Sequence, residues 1–390
     1  MPQQLKAGVI GLGILGSQHA SFLHDHEAVD LVAVTDLRPE VADRVAASTG
    51  AEAFTDLHAM LKSHALDLAV VATPDPLHRE PTLAVLDASV PAILLEKPMA
   101  TTLEDAIAIY NAVERHEASL FINFANRASP TFKASRYVIQ GGLLGEVVYG
   151  EARLDDNICV PTEMWAQRSK NWAAGSSTVH FLLSHVVDLM RWFFSPAEVK
   201  QVYAISQTEV LGSTPDLYDA FLSFDSGLKL RIKAEWIKHI DELVEFYLCF
   251  SGNSGTLIHN KRPGFAAQEG WRVNLAADCK FSNVERHQDT LAQKLGVNVD
   301  ALRRRPQPEA GDLAAGSGKQ IPALESRRSG ETGTMGLAGP VVDAILNGTR
   351  EPVSWAGNGD LPNHIDGLKQ TQVCIAIAES ADKGQPVDIM

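Results

Sequence analysis

Gly11-Leu12-Gly13-Ile14-Leu15-Gly16 follows directly on the apolar run Leu5 to Ile10 and opens into a helix-like segment, Gly16 to His24. The pattern GxGxxG between a strand and a helix has a physical reading. The first glycine permits the tight turn, and the second lets a pyrophosphate approach the backbone. The third allows close packing of helix on strand, while the first helical N–H groups, at Ile14, Leu15 and Gly16, face the anion. Asp36 ends the next apolar run, Leu31 to Thr35, twenty residues beyond the last glycine. A carboxylate there accepts hydrogen bonds from the hydroxyls of an adenine ribose and repels a 2′-phosphate, which favours NAD over NADP. Arg38, beyond Leu37, is the residue that would accommodate NADP.

Working outward, the same alternation continues. Leu68 to Ala72, Ala92 to Leu95 and Leu120 to Phe124 read as strands. Glu40 to Ser48, Leu57 to Lys62, Pro81 to Ala88 and Leu103 to Glu114 read as helices. Continuous apolar strands between amphipathic helices predict a doubly wound parallel sheet of the Rossmann type. After about residue 145 the runs Val147 to Leu154, Val199 to Thr208, Leu217 to Phe224, Leu228 to Trp236, Val244 to Phe250 and Trp271 to Ala276 are separated mostly by turns. Asp225-Ser226-Gly227 and Gly252-Asn253-Ser254-Gly255 are hairpin signals. This predicts an α+β domain with a large, mainly antiparallel sheet and one early helix, Val179 to Phe194. The expected domains are 1–123 and 124–390. Residues 285–330, broken by Pro306, Pro308, Gly311, Gly316, Gly318 and Pro322, are expected to form an irregular insertion, with Arg303-Arg304-Arg305 a solvated run near Glu309, Asp312 and Glu325. Two helices, Met335 to Leu346 and Asp366 to Lys383, close the chain, with Gly384 at a helix-ending position.

Composition narrows the function. The chain has 390 residues, 34 basic against 48 acidic, and a net charge of −14. Such a field disfavours nucleic acid. No apolar run reaches the roughly 18 residues of a membrane span, and Met1 to Lys6 carries no signal-like apolar core. Cys159, Cys249, Cys279 and Cys374 are far apart in sequence and read as reduced, structural thiols. The expected setting is cytoplasmic. An antiparallel sheet with one open face predicts a homodimer or homotetramer.

Three further motifs lie at strand ends, where a doubly wound sheet binds its ligand. They are Thr73-Pro74-Asp75-Pro76-Leu77-His78, Glu96-Lys97-Pro98, and Asn123 to Pro130 with Arg127. At that crevice Lys97 is a candidate to orient a substrate hydroxyl. On the later helix, His185 and Asp188 share a face, as do His180, Ser184 and Asp188. A histidine beside a carboxylate is a usable general base, and a buried structural histidine is the competing reading. His180 and His185 diverge around the helix and lack further ligands, so no metal is expected.

Together these motifs resemble the Gfo/Idh/MocA family, the glucose–fructose oxidoreductase and inositol dehydrogenase group. The glycine turn ending in His19-Ala20, the segment Ala72 to His78, Glu96-Lys97-Pro98, Arg127 with Pro130, and the closing helix with Ala378-Glu379-Ser380 carry the likeness. The resemblance implies NAD(P)-dependent oxidation or reduction of sugars, cyclitols or their derivatives. It implies that Lys97 and His185 are catalytic, His185 as the acid/base. Members often have an Asp four residues before that histidine; here Phe181 stands there. Asp155, Asp156 and Asn157 are candidates to restore the polarity. The cofactor set is Gly11, Gly13, Ile14, Leu15, Gly16, Asp36, Leu37, Arg38, Thr73, Pro74, His78, Glu96, Lys97, Asn123 and Arg127. The sugar or polyol would meet Lys97, Asp155, Asn157, Trp172, His180, Phe181 and His185. An NADP-dependent reductase of a keto or imine substrate, and a silent dinucleotide-binding sensor, are the alternatives.

Overall fold

The computed structural model describes residues 4–164, 167–240, 242–260, 270–304, 320–326, 336–348 and 361–389. Strands β1 (Leu5–Ile10), β2 (Val29–Thr35), β3 (Glu52–Phe54), β4 (Leu68–Val71), β5 (Ala92–Leu95) and β6 (Ser119–Ile122) form a parallel sheet in the order β3-β2-β1-β4-β5-β6. Helices α1 (Ile14–Asp25), α2 (Pro39–Thr49), α3 (Leu57–Ser63), α4 (Arg79–Asp87) and α5 (Leu103–His116) alternate with them. Every residue of β4 and β5 is buried, as strands covered on both faces must be. The strand order reverses beside β1, so the crevice opens between β1 and β4, at the glycine turn. Strand β3, absent from the sequence reading, has three residues, too few for a period to register.

The second sheet comprises β7 (Val147–Asn157), β8 (Val199–Gln207), β9 (Leu217–Phe224), β10 (Lys229–Lys238), β11 (Val244–Gly252), β12 (Gly255–Asn260), β13 (Gly270–Leu275), β14 (Asp300–Arg304), β15 (Ile321–Ser326) and β16 (Val387–Asp388). Its order is β14-β15-β13-β12-β11-β7-β10-β9-β8-β16, antiparallel except where β7 meets β10. The helices are α6 (Pro130–Gln140), α7 (Cys159–Thr162), α8 (Gln167–Gly175), α9 (Ser184–Phe194), α10 (Phe281–Leu295), α11 (Ala338–Leu346) and α12 (His364–Lys383). Val186, Val187, Met190 and Phe193 of α9 bury completely against one face of the sheet. Tyr203, Ile205 and Phe221 stay exposed on the sheet, Tyr203 and Phe221 in direct register across β8 and β9.

The irregular insertion expected at 285–330 is corrected in its described parts. Residues 285–295 belong to α10, and β14 and β15 pair as a ladder at the sheet edge. The many Pro and Gly residues that suggested irregularity fall mostly between these strands, in 305–319, outside the described residues together with Arg305, Glu309 and Asp312. Arg304 pairs with Glu325, and Arg303 lies over the Phe281 ring at 4.5 Å.

The chain then returns to the first sheet. Leu337, Ala338, Val341, Val342 and Leu361 join the core that contains Val9, Leu23 and Val34. Ile122 N–H donates to the Pro362 carbonyl, and Asn363 with Asp366 forms a reciprocal cap on α12. Gly384 ends that helix with φ +63°. No helix among the described residues is long and apolar enough to cross a membrane.

Candidate active site

The glycine turn is built as its sequence demands. At Gly11 the backbone has φ +83°, and a Cβ would stand 2.8 Å from the Ala72 carbonyl oxygen. At Gly16 a Cβ would overlap the Gly11 carbonyl, so α1 can begin only without one. Above Gly13 there is open space, and no side chain caps α1. The first N–H groups of the helix, at Ile14, Leu15 and Gly16, are therefore left for an anion. Asp36 accepts from Leu12 N–H at 2.9 Å and from the Arg38 guanidinium at 2.8 and 2.9 Å. Burial alone would raise its carboxyl; these hydrogen bonds outweigh burial and hold it below the ordinary range. Arg38 is thus folded onto Asp36, while Leu37 is 89 % exposed beside the turn.

The strand-end loops are tied to one another. His78 is buried, with its ring nitrogens 2.7 Å from the Pro98 carbonyl oxygen and 3.0 Å from that of Thr73. Pro74, next in the chain, is exposed. Glu96 Oε1 lies 2.7 Å from His19 Nε2 and accepts from Asn123 Nδ2 at 2.8 Å. Burial would raise the Glu96 carboxyl, but the hydrogen bond to His19, followed by that from Asn123 and the Lys97 charge, lowers it instead. Asn123 Oδ1 also accepts from Leu337 N–H, which docks the returning chain on the strand ends.

Lys97 leaves this frame and reaches the second domain. The helix expected from Val179 begins as a π-turn, Val179–Leu183, before becoming α9. Here the Phe181 carbonyl accepts from Lys97 Nζ at 2.8 Å, and the same ammonium stands 4.0 Å from the Phe181 ring centroid. Burial lowers the Lys97 pKa, against the pull of Asp75, Glu96 and Asp156. Burial, then the Lys97 charge, lowers His185 well below its usual value, so it is neutral at pH 7. His180 is lowered by burial against Asp75. Both histidines have a buried Nδ1 without a protein partner.

The pairing of His185 or His180 with Asp188 does not form. Asp188 instead accepts from Arg127 at 2.9 and 2.5 Å, fully buried, with Asp366 3.5 Å from the same guanidinium. Helical spacing allowed the histidine contact, but a bidentate guanidinium is the stronger partner. Removing one member of such a buried pair costs about 3–5 kcal/mol. Arg127, expected at the cofactor, is placed in this cluster, 2 % exposed.

The polar residues at the end of β7 divide by strand alternation. Ala152, Leu154 and Asp156 share the face covered by α9. Asp155 lies opposite, its carboxylate 2.8 Å from Lys238, 3.3 Å from Lys233 and 3.9 Å from Arg153. Asn157 is engaged by the Ile240 carbonyl and by Cys159 N–H. So neither Asp155 nor Asn157 is free toward Lys97; Asp156 is the member that feels its charge. Asp75 and Trp236 were missed as site residues. Asp75 accepts from Trp172 Nε1 at 3.0 Å and from Ser176 Oγ at 2.5 Å, clasping α8 to the first domain. Trp172, Phe181 and Trp236 form an aromatic wall, with ring centroids 4.5, 5.3 and 6.0 Å apart. The signal for Asp156 and Trp236 was available: each continues the buried alternation of its strand.

A doubly wound parallel sheet whose first strand runs into an uncapped glycine turn defines a Rossmann-type dinucleotide-binding domain. Sequence comparison makes this specific. The family description "Oxidoreductase family, NAD-binding Rossmann fold" matches residues 5–124, and "GFO/IDH/MocA C-terminal domain" matches residues 116–258. The chain belongs to the Gfo/Idh/MocA family. It is 29 % identical over 208 residues to inositol 2-dehydrogenase of Rubrobacter xylanophilus, covering 52 % of this chain and 55 % of that one. It is 27 % identical over 216 residues to levoglucosan dehydrogenase of Pseudarthrobacter phenanthrenivorans, covering 53 % and 55 %. The chain thus spans about half the length of these two relatives. With inositol 2-dehydrogenase 1 of Mycolicibacterium vanbaalenii the match is 25 % identical and covers 99 % and 96 %. A levoglucosan dehydrogenase solved with NADH and levoglucosan shares the fold, with TM-score 0.74, 22 % identity and coverage of 99 % and 100 %. So does scyllo-inositol dehydrogenase of Lactobacillus casei, with TM-score 0.70, 17 % identity and coverage of 99 % and 98 %.

Proposed function

We propose that the protein is an NAD-dependent dehydrogenase that oxidises a carbinol carbon of a sugar, cyclitol or derivative, or reduces the matching carbonyl. The observation that carries this reading is Lys97, a buried ammonium at a strand end of the Rossmann sheet, facing a neutral His185 across the domain boundary. The relatives named for inositol and levoglucosan support the substrate class. Bound nicotinamide supplies the hydride acceptor. Lys97 holds the reacting oxygen and favours its alkoxide character, while His185 takes or returns the proton. The uncapped start of α1 offers its N–H groups to the pyrophosphate, and Asp36 meets the ribose hydroxyls. The exposed Tyr203, Ile205 and Phe221 support self-association through the sheet.

The test is to add NAD with a panel of polyols and sugars and follow absorbance of the reduced nicotinamide. Cofactor choice is read separately. Asp36 engages the Arg38 guanidinium, which argues for NAD; Asp36→Ala should weaken NAD binding and strengthen NADP binding by freeing that guanidinium. An unchanged NAD-to-NADP affinity ratio would remove Asp36 and Arg38 as the determinants.

A further inference from the structure

A carboxylate buried without a cation is costly, and proteins retain one mainly where it has work to do. Asp156 is 5 % exposed. Among the described residues it makes no ion pair, whereas its neighbour Asp155 has three cations within 4 Å. Strand alternation turns Asp156 to the face covered by α9, where it meets the Lys97 charge and the Trp236 indole. That indole Nε1 lies against the carboxylate without reaching full hydrogen-bond geometry. The groups acting on Asp156 are therefore Lys97 from the loop after β5, Trp236 from β10 and Asp155 on its own strand.

The rest of the pocket explains why a carboxylate is needed there. Oxidising an alcohol transfers a hydride to the nicotinamide and releases one proton from the hydroxyl. If that proton stopped on His185, an imidazolium would stand beside the Lys97 ammonium in a buried site, the combination that already depresses His185. Position 181, one helical turn before His185, offers only an aromatic ring and a carbonyl, and Asp188 is taken by Arg127. We infer that Asp156 is a further proton-handling residue of this site: its carboxylate holds the hydroxyl proton at the end of oxidation and supplies it for reduction, with His185 as the relay. The balance is complete. The C–H bond breaks toward the nicotinamide, the O–H bond breaks toward His185 and then Asp156, and a carbonyl forms. Burial pushes the Asp156 carboxyl up to about 7, near the value that serves both directions at neutral pH.

This inference rests on the dehydrogenase reading above, so its test has one arm that needs activity and one that does not. With any polyol the wild type oxidises, Asp156→Asn should lower kcat by about 10²–10⁴-fold. NAD affinity should stay within about twofold, and the pH–rate profile should lose its limb near pH 7. In the NAD-bound protein, infrared difference spectra should show one carboxyl titrating near pH 7, absent in Asp156→Asn and shifted upward in Lys97→Met. A wild type that turns over no polyol would overturn the dehydrogenase reading alone, and the infrared arm would still decide whether Asp156 can hold this proton. A limb that persists in Asp156→Asn with less than tenfold loss, or a carboxyl that titrates near 4, would overturn the inference.

Discussion

Lys97 Nζ donates to the main-chain carbonyl of Phe181 at 2.8 Å while lying 4.0 Å from the centre of the same residue's ring. One residue of the second domain thus offers the lysine a backbone acceptor and an aromatic face. Neither contact neutralises the ammonium. The aromatic contact contributes about 0.5–2 kcal/mol, too little to offset burial, so the Lys97 pKa stays depressed. This relationship also joins the two domains at the candidate site, so a change at residue 181 acts directly on Lys97.

Phe181→Asp should raise the Lys97 pKa by placing an anion beside it. The charged amine would persist to higher pH. The alkaline fall in kcat/KM should therefore move upward in Phe181→Asp and downward in Phe181→Leu, which loses the aromatic contact to the ammonium, as pH–rate profiles of the three proteins would reveal. An alkaline limb identical in all three would dissociate Lys97 from that ionisation.

His185→Ala should slow the proton-coupled step by about 10²–10⁴-fold, measured as kcat with saturating polyol and NAD. Because burial and Lys97 keep wild-type His185 neutral, its acid limb should lie below pH 6.5. A loss under tenfold would shift the base to another group, with His180 the first to examine.

Much of this site was legible in the residues, and the exceptions share a cause. The glycine turn, Asp36 and Glu96-Lys97-Pro98 are local: each motif fixes its own backbone environment, and strand ends bring the motifs together. The Asp188 partnership was misread because i, i+3 spacing shows which residues on one helix can meet, while Arg127 arrives from sixty-one positions away. The π-turn at Val179–Leu183 has no periodic signature, so the contact of Lys97 with the Phe181 carbonyl could not be foreseen. Asp156 was named beside Asp155 and Asn157, and the buried alternation of Ala152 and Leu154 marks the face that sets it apart from them. Strands β14 and β15 were hidden because prolines and glycines of the segment between them dominate the local composition.

The charge state of Asp156 should also govern stability. The folded chain keeps this proton to about pH 7, whereas the unfolded chain releases it near the ordinary aspartate value of 3.8. Between these limits the folded state binds more protons, so this group's contribution is present in full at low pH and is lost as pH rises toward 7. The whole effect is on the order of 4 kcal/mol. Asn mimics the protonated form, so the Tm of Asp156→Asn relative to wild type should climb from pH 4.5 to pH 8. A difference that is flat with pH would mean that Asp156 is ionised in the fold throughout.

The most direct measurement compares wild type and Lys97→Ala for reduced nicotinamide formed from NAD and a polyol and sugar panel, with NAD affinity measured in parallel by fluorescence titration. Wild type should accumulate NADH with at least one polyol, while Lys97→Ala should bind NAD with nearly unchanged affinity and form none. Full activity in Lys97→Ala would contradict the role of the lysine. Stoichiometric NAD binding by wild type without NADH from any member of the panel would contradict the dehydrogenase account and favour a dinucleotide sensor.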